Sequence, residues 1–109
     1  MLSLITSIMN TNSIRFPKYN TGVGIAAPTS SAKYTCPYDL LYVACIQNSG
    51  ANAFLELYVD NYASGIGFHN SDSYAPLKDS VTAFLKKGQV IYWSGTVKTA
   101  FVSRVFQLN

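Results

Sequence analysis

The residues that could carry acid–base or nucleophilic chemistry lie together in one polar segment. The chain has a single histidine, His69, and Ser71, Asp72 and Ser73 follow it directly in the sequence. A general base needs a nucleophile and an orienting acid held in contact with it, and adjacency within one loop does not supply that geometry. We therefore expect His69 to be a solvated loop residue and the protein not to be an enzyme.

The sequence offers equally little for metal or disulfide chemistry. Cys36 and Cys45 are separated by a strand-like run, and an extended run of that length spans about 30 Å, well beyond disulfide reach. We expect two free, buried thiols, as in a protein made in a reducing cytosol. A zinc site is not expected, although three copies of His69 around a threefold axis could hold a metal ion. No cofactor is expected.

Composition indicates one small, strand-rich domain. The 109 residues are 49% hydrophobic and only 12% charged, and they include eight tyrosines and six phenylalanines. The net charge of +3 comes from scattered lysines and arginines, which does not provide the basic stripe that nucleic-acid binding needs. No run approaches the roughly 20 apolar residues of a membrane helix, so no membrane insertion is expected. So few charges also suggest that part of the surface is covered by a partner.

The hydrophobic pattern predicts an all-β protein. Turn signals recur about every ten residues with no long helical periodicity, which indicates eight to nine short strands in an antiparallel β-sandwich or barrel. The clearest hairpin signal joins residues 81–85 to residues 89–93 through the glycine turn at residues 86–88. Residues 62–76 form the longest segment without a regular pattern and are expected to be a loop.

Two strands are informative about burial. Residues 53–59 alternate, and the pattern places Leu55, Leu57 and Val59 inward and Phe54, Glu56 and Tyr58 outward. Residues 40–46 are apolar on both faces, with Leu40, Tyr42, Ala44 and Ile46 on one side and Leu41, Val43 and Cys45 on the other. The second face of that strand is covered either by loops of the same chain or by another subunit.

Binding residues are expected on the loops at the rim of the sandwich. Aromatic rings can stack on sugar faces, while amides, hydroxyls and carboxylates form directional hydrogen bonds with sugar hydroxyls. The candidate receptor-binding residues are Tyr62, Phe68, His69, Asn70, Asp72, Tyr74, Asn48 and Asn52. The alternative is that the aromatic residues among them only pack in the core or between subunits. Trp93 is expected in the core or at an interface rather than in a ligand platform.

Three short motifs resemble the C1q/TNF-like jelly roll. They are KYTCPYDLLYV at residues 33–43, LKKGQV at residues 85–90, and a final strand that contains Phe101. The RFP motif at residues 15–17 is also similar to the small C1q-like head domains at the tips of phage tail fibres and related virion appendages. Cys36, Leu40 and Gln89 depart from the family pattern, and none of these changes touches a catalytic role.

The resemblance implies a jelly-roll head at residues 15–109, preceded by a connector or shaft remnant at residues 1–14. It implies a tight homotrimer, displayed on a virion tail appendage, that binds a bacterial surface glycan or protein receptor and contacts other virion tail proteins. The expected trimer-interface residues are Leu41, Tyr42, Val43, Trp93 and Phe101. Two alternatives stay open: a structural virion protein, such as a capsid-decoration or baseplate jelly roll, that binds only other virion proteins, and a sugar-binding or cytokine-like module of cellular origin.

Overall fold

Two four-stranded antiparallel sheets make up the fold. The computed structural model describes residues 15–48, 53–70, 77–96 and 101–109. The strands within these ranges are β1 (Val23–Ile25), β2 (Tyr34–Thr35), β3 (Leu40–Asn48), β4 (Ala53–Val59), β5 (Tyr62–Asn70), β6 (Leu77–Leu85), β7 (Val90–Thr96) and β8 (Phe101–Gln107). The first sheet has the order β1-β8-β3-β6 and the second β2-β7-β4-β5. The predicted all-β, antiparallel sandwich is confirmed for the described residues.

The inner face of β3 is the centre of the core. Leu40, Tyr42, Ala44 and Ile46 are all completely buried, because β3 lies between β8 and β6 and faces the second sheet. Burying one leucine or isoleucine side chain contributes about 1.5–3 kcal/mol, so this strand is a large part of the stability. The predicted inward face of residues 40–46 is therefore confirmed.

The second sheet closes the core from the other side. Leu55 and Leu57 of β4 are buried together with Ile91 and Trp93 of β7. Val59 packs against the same cluster. The predicted alternation in residues 53–59 is confirmed, and so is the expected core position of Trp93.

One buried polar network crosses the interior. The Tyr42 hydroxyl accepts a hydrogen bond from the Trp93 indole N–H at 2.8 Å and shares another with the Ser103 hydroxyl at 2.7 Å. These three residues come from β3, β7 and β8, so the network joins both sheets. Burial raises the pKa of the Tyr42 phenol, which keeps it a neutral hydrogen-bonding group.

The predicted hairpin at residues 81–93 is wrong. The glycine turn exists: Gly88 has φ of 90°, and the amide of Gln89 donates to the carbonyl oxygen of Lys86 at 3.1 Å. However, β6 pairs with β3 in the first sheet and β7 pairs with β4 in the second. The turn therefore carries the chain from one sheet to the other. Among the eight described strands, only β4 and β5 are consecutive neighbours within one sheet.

The expected loop at residues 62–76 is also partly wrong, since residues 62–70 form the strand β5. A tight turn with positive φ at Asp60 and Asn61 joins it to β4, as in a two-residue type I′ hairpin. The pairing between the two strands shifts at Glu56 and Tyr58, so that β5 carries a bulge there. The rest of the expected loop, residues 71–76, lies outside the described residues.

Both cysteines are free, as predicted. Cys36 is buried, and burial together with the charge of Asp60 raises the pKa of its thiol to about 11. Cys45 is exposed, which corrects the expectation that both thiols are buried. The reason is that successive residues of a strand point to opposite faces. Cys45 follows the buried Ala44 in β3 and so points to the outer side of the first sheet.

A hydrogen-bonded network ties the two ends of the described chain together. Arg15 forms an ion pair with Asp39 and donates from Nε to the carbonyl oxygen of Asn109 at 2.7 Å. Asp39 also accepts from the backbone N–H of Lys87 at 2.8 Å. That bond and the Arg15 guanidinium lower the pKa of the Asp39 carboxyl. We call the end of the sandwich where Arg15, Asp39, Lys87 and Asn109 meet the turn end. The described part of the chain contains no helix that could cross a membrane.

Candidate functional site

The opposite end of the sandwich collects three connections, and we call it the loop end. Asn48 at the end of β3 pairs with Leu77 at the start of β6, and Ala53 at the start of β4 pairs with Asn70 at the end of β5. β7 ends there too, since Thr96 pairs with Phe54. The strand ends that flank residues 49–52, 71–76 and 97–100 therefore share one end, as the rim prediction requires.

Most of the predicted receptor-binding side chains fall in or beside those connections. Asn52, Asp72 and Tyr74 lie outside the described residues, as do the side chains of Asn48, His69 and Asn70. Their role in receptor binding therefore stays a prediction.

Tyr62 and Phe68, the two other predicted receptor-binding residues, are not brought together at the rim. Tyr62 is exposed but begins β5, eight positions before Asn70, next to the turn at Asp60 and Asn61. At about 3.3 Å per residue that is more than 20 Å from the loop end. Phe68 is only 6% exposed and belongs to the core cluster, so it offers almost no surface to a receptor.

The predicted interface residues are divided between the core and the outer side of the first sheet. Tyr42 and Trp93 are core residues that bond to each other, so their side chains face the interior. Leu41 and Val43 point outward and are half-buried. Phe101 pairs with Ile46 in the register, and its side chain lies outside the described residues.

Leu41 and Val43 belong to a larger apolar surface on the first sheet. Leu41 pairs with Phe84 of β6 and with Phe106 of β8, and Cys45 pairs with Val102. Phe84 is 73% and Val102 53% exposed. We call this surface the apolar face; its residues are Leu41, Val43, Cys45, Phe84, Val102 and Phe106. Cys45, Phe84 and Val102 are exposed and the other three are half-buried, while Thr82 and Arg104 flank Val43 between the two rows. Exposed apolar side chains clustered in this way are typical of a surface that binds another protein.

The outer side of the second sheet is different, because it mixes rings with charged and hydroxyl groups. The rings of Tyr58 and Tyr92 lie side by side with centroids 5.1 Å apart. The ammonium group of Lys33 lies 5.0 Å from the Tyr92 ring centroid and donates to the side-chain oxygen of Asn61 at 3.3 Å. We call this surface the aromatic face; its residues are Lys33, Phe54, Glu56, Tyr58, Tyr92 and Ser94.

A shallow depression of about 350 Å³ lies on the aromatic face beside the bulge of β5. Phe54, 48% exposed, and the half-buried Glu56 line it together with Gly65 and Gly67, and the buried Leu55 and Phe68 also contribute to its wall. A methyl group on Gly67 would overlap the carbonyl oxygen of Leu55, so β5 can lie this close to β4 only with glycine at this position.

The bulge is fixed by its own hydrogen bonds. The Ser64 hydroxyl donates to the carbonyl oxygen of Leu57 at 2.6 Å and accepts from the amide of Ile66 at 3.0 Å. Gly65, at φ of 80°, donates its amide to a carboxylate oxygen of Glu56 at 3.0 Å. The sequence pattern did not predict this site. The usable signal is the pair of glycines at positions 65 and 67, because closely spaced glycines within a strand indicate a bulge or a close approach of backbone.

No three His, Cys, Asp or Glu side chains among the described residues come together as possible metal ligands. Ser71, Asp72 and Ser73 lie outside the described residues, as does the His69 side chain. The buried Cys36 thiol, with its raised pKa, is protonated at neutral pH and is a poor nucleophile.

No protein-family model matches the chain, and no curated protein is significantly similar to it. The function is therefore inferred from the geometry and from the motifs that resemble the C1q/TNF-like jelly roll.

Proposed function

We propose that this protein is a non-enzymatic jelly-roll head domain of a phage tail fibre or related virion appendage. In this proposal it forms a homotrimer and attaches the virion to a bacterial surface receptor, in particular a glycan. The chain at residues 15–109 is the head, and the loop end is the part that faces the receptor.

The strand order supports the jelly-roll part of the proposal. Eight strands in two four-stranded sheets, with nearly every connection passing from one sheet to the other, is the arrangement that two interleaved Greek keys produce. The motif around residues 33–43 occupies β2 and the start of β3, the region where the C1q/TNF-like family pattern has its core-opening strand.

The observation that carries the proposal is the open apolar face. A small monomer seldom leaves a contiguous apolar patch uncovered, whereas a subunit of an oligomer buries it against its copies. The first sheet presents Phe84, Leu41 and Phe106 in one row across three strands, with Cys45 and Val102 in another. Three chains that bury this face would also gain avidity from three weak binding sites.

The position of Arg15 supports the display of the head on a fibre. Arg15 is bonded to Asn109 at the turn end. The loop end lies at the far end of the strands from that junction. A fibre joined through the residues before Arg15 would leave the loop end facing outward.

Oligomeric state and receptor binding are tested with two variants and a matched control. Phe84→Lys places a charge on the apolar face at its most exposed ring, on the edge strand β6, and is expected to convert a trimer into monomers in light scattering. Phe16→Lys changes another exposed phenylalanine, 62% exposed, at the turn end and should leave the trimer intact. Tyr74→Ala should weaken binding to a glycan array without changing the oligomeric state.

The second candidate function uses the same apolar face. If the wild-type chain is monomeric, and binds neither glycans nor cells, the face would be the docking surface of a structural virion protein that binds other virion proteins. That outcome would refute the trimeric, receptor-binding proposal.

A further inference from the structure

We propose that the aromatic face is itself a carbohydrate site, which binds a short neutral oligosaccharide between Phe54 and Tyr58, with Glu56 accepting hydrogen bonds from its hydroxyls. The inference rests on the proposed function for the class of ligand. It adds a site on the outer side of the second sheet, and its proposed ligand contacts, Phe54, Glu56 and Tyr58, are not among the receptor-binding residues predicted from sequence.

The floor of the site is built from small residues. In the register of the sheet, Glu56 is flanked by Gly67 on β5 and by Ser94 on β7. Gly67 brings the peptide backbone to the surface, because any side chain there would collide with Leu55. A ligand can therefore approach the sheet closely along this row.

Aromatic rings stand on both sides of that floor. Phe54 and Tyr58 are four residues apart on the outer side of β4, so their positions are about 13 Å apart along the strand, a length that a disaccharide fits. The Tyr58 ring is held against Tyr92, and the Lys33 ammonium lies over Tyr92. In this site the exposed part of Phe54, 48% exposed, and the half-buried Tyr58 are the rings against which the weakly positive C–H groups of a sugar pack.

The polar groups indicate that the ligand is neutral. Glu56 supplies a carboxylate and Lys33 an ammonium group on the same face, with the Ser94 hydroxyl also exposed. A strongly anionic ligand would meet Glu56 and a strongly cationic one would meet Lys33. Sugar hydroxyls both donate and accept, so they can satisfy the two charged groups together.

The Glu56 carboxylate is already oriented before a ligand arrives. One of its oxygens accepts the Gly65 amide at 3.0 Å, and the bulge that presents this amide is braced by the two Ser64 bonds. Little side-chain freedom is then lost on binding, which favours affinity.

The test is a glycan array that carries neutral bacterial oligosaccharides beside their uronic-acid counterparts, probed with the full chain. We expect retention on neutral glycans, with a loss of about ten-fold for Phe54→Ala and for Glu56→Gln, the latter keeping the oxygen that accepts from Gly65. Phe16→Ala and Asp79→Asn are the controls, since both residues are exposed and lie off this face; each should bind as the wild type does.

Three results would overturn the inference. They are unchanged neutral-glycan binding in both Phe54→Ala and Glu56→Gln, a preference for the uronic-acid glycans, or no retention on any neutral glycan. The proposed function fails separately: it is lost if the chain is monomeric and does not adsorb to bacterial cells. A trimer whose glycan binding responds to Tyr74→Ala and not to Phe54→Ala would keep the proposed function and remove this site.

Discussion

The buried bond network around Tyr42 can be tested by removing a single oxygen atom. Tyr42→Phe keeps the ring and its packing but deletes the hydroxyl that bonds to Trp93 at 2.8 Å and to Ser103 at 2.7 Å. One buried hydrogen bond contributes about 1 kcal/mol net, and burial of a polar group that has lost its partner adds a further penalty. We expect the free energy of unfolding to fall by about 1–3 kcal/mol.

Urea unfolding followed by fluorescence measures this loss directly. Trp93 is the only tryptophan in the chain, and it belongs to the network, so its emission reports the unfolding of the core around Tyr42. Protein concentration has to be equal for all variants, since association would raise the apparent stability. The control is Tyr19→Phe, which removes the hydroxyl of an exposed tyrosine and should change stability by less than about 0.5 kcal/mol. Equal losses in the two variants would show that the network does not stabilise the fold.

Three further predictions concern pH and backbone space. Because the folded Cys36 thiol has a pKa of about 11 against 9.0 for a free thiol, the folded state holds a proton that the unfolded chain releases. Stability should fall as the pH rises from 9 to 11, and Cys36→Ala should reduce that fall by up to about 2 kcal/mol in urea titrations. The same fall in the wild type and in Cys36→Ala would contradict this. The pKa of Asp39 is lowered, first by the Lys87 amide, so here stability should fall as the pH is lowered. The contribution of Asp39 is present above about pH 4 and is lost as the pH falls further. Asp39→Asn should therefore make the free energy of unfolding less dependent on pH in the acid range, and an unchanged dependence would refute the assignment. Gly67→Ala should lower the free energy of unfolding by about 1–3 kcal/mol in thermal or urea unfolding, because the new Cβ overlaps β4. Gly24→Ala is the control and should be nearly neutral, because its Cβ meets open space. Equal effects in the two variants would contradict the close approach of Gly67 to β4.

The features that sequence predicted well are those set by local alternation and composition. The inward row of β3 and the alternation of β4 follow from the two-residue period of a strand with one buried face. The absence of helical periodicity was sufficient to predict the sandwich. The turn at Gly88 was also predicted, because a positive φ at a Lys-Lys-Gly turn depends on one residue.

The errors arose where long-range placement decides the outcome. The turn at residues 86–88 reads like a hairpin locally, yet the partners of β6 and β7 are β3 and β4, far away in the sequence. Residues 62–70 contain glycine and serine and have weak strand propensity, but β4 offers a hydrogen-bonding edge, and the bulge absorbs the residues that do not fit. Tertiary pairing overrides propensity in both cases.

The aromatic face was missed for the same reason. Its residues come from β4, β7 and the segment before β2, and β5 adds the glycines of the depression; they become neighbours only when β2, β7, β4 and β5 are placed side by side. The outward positions of Phe54, Glu56 and Tyr58 were predicted, but the glycines and tyrosines that complete the surface belong to other strands. No local motif indicates such a surface.

The central claim, that chains of this protein bury their apolar faces against each other in threes, is tested most directly by native mass spectrometry of the wild-type protein at micromolar concentration. The account predicts a species of about 36 kDa, three times the 11.9 kDa chain, that falls to the mass of one chain in Phe84→Lys. A wild-type protein that stays at 11.9 kDa across the concentration range would contradict it.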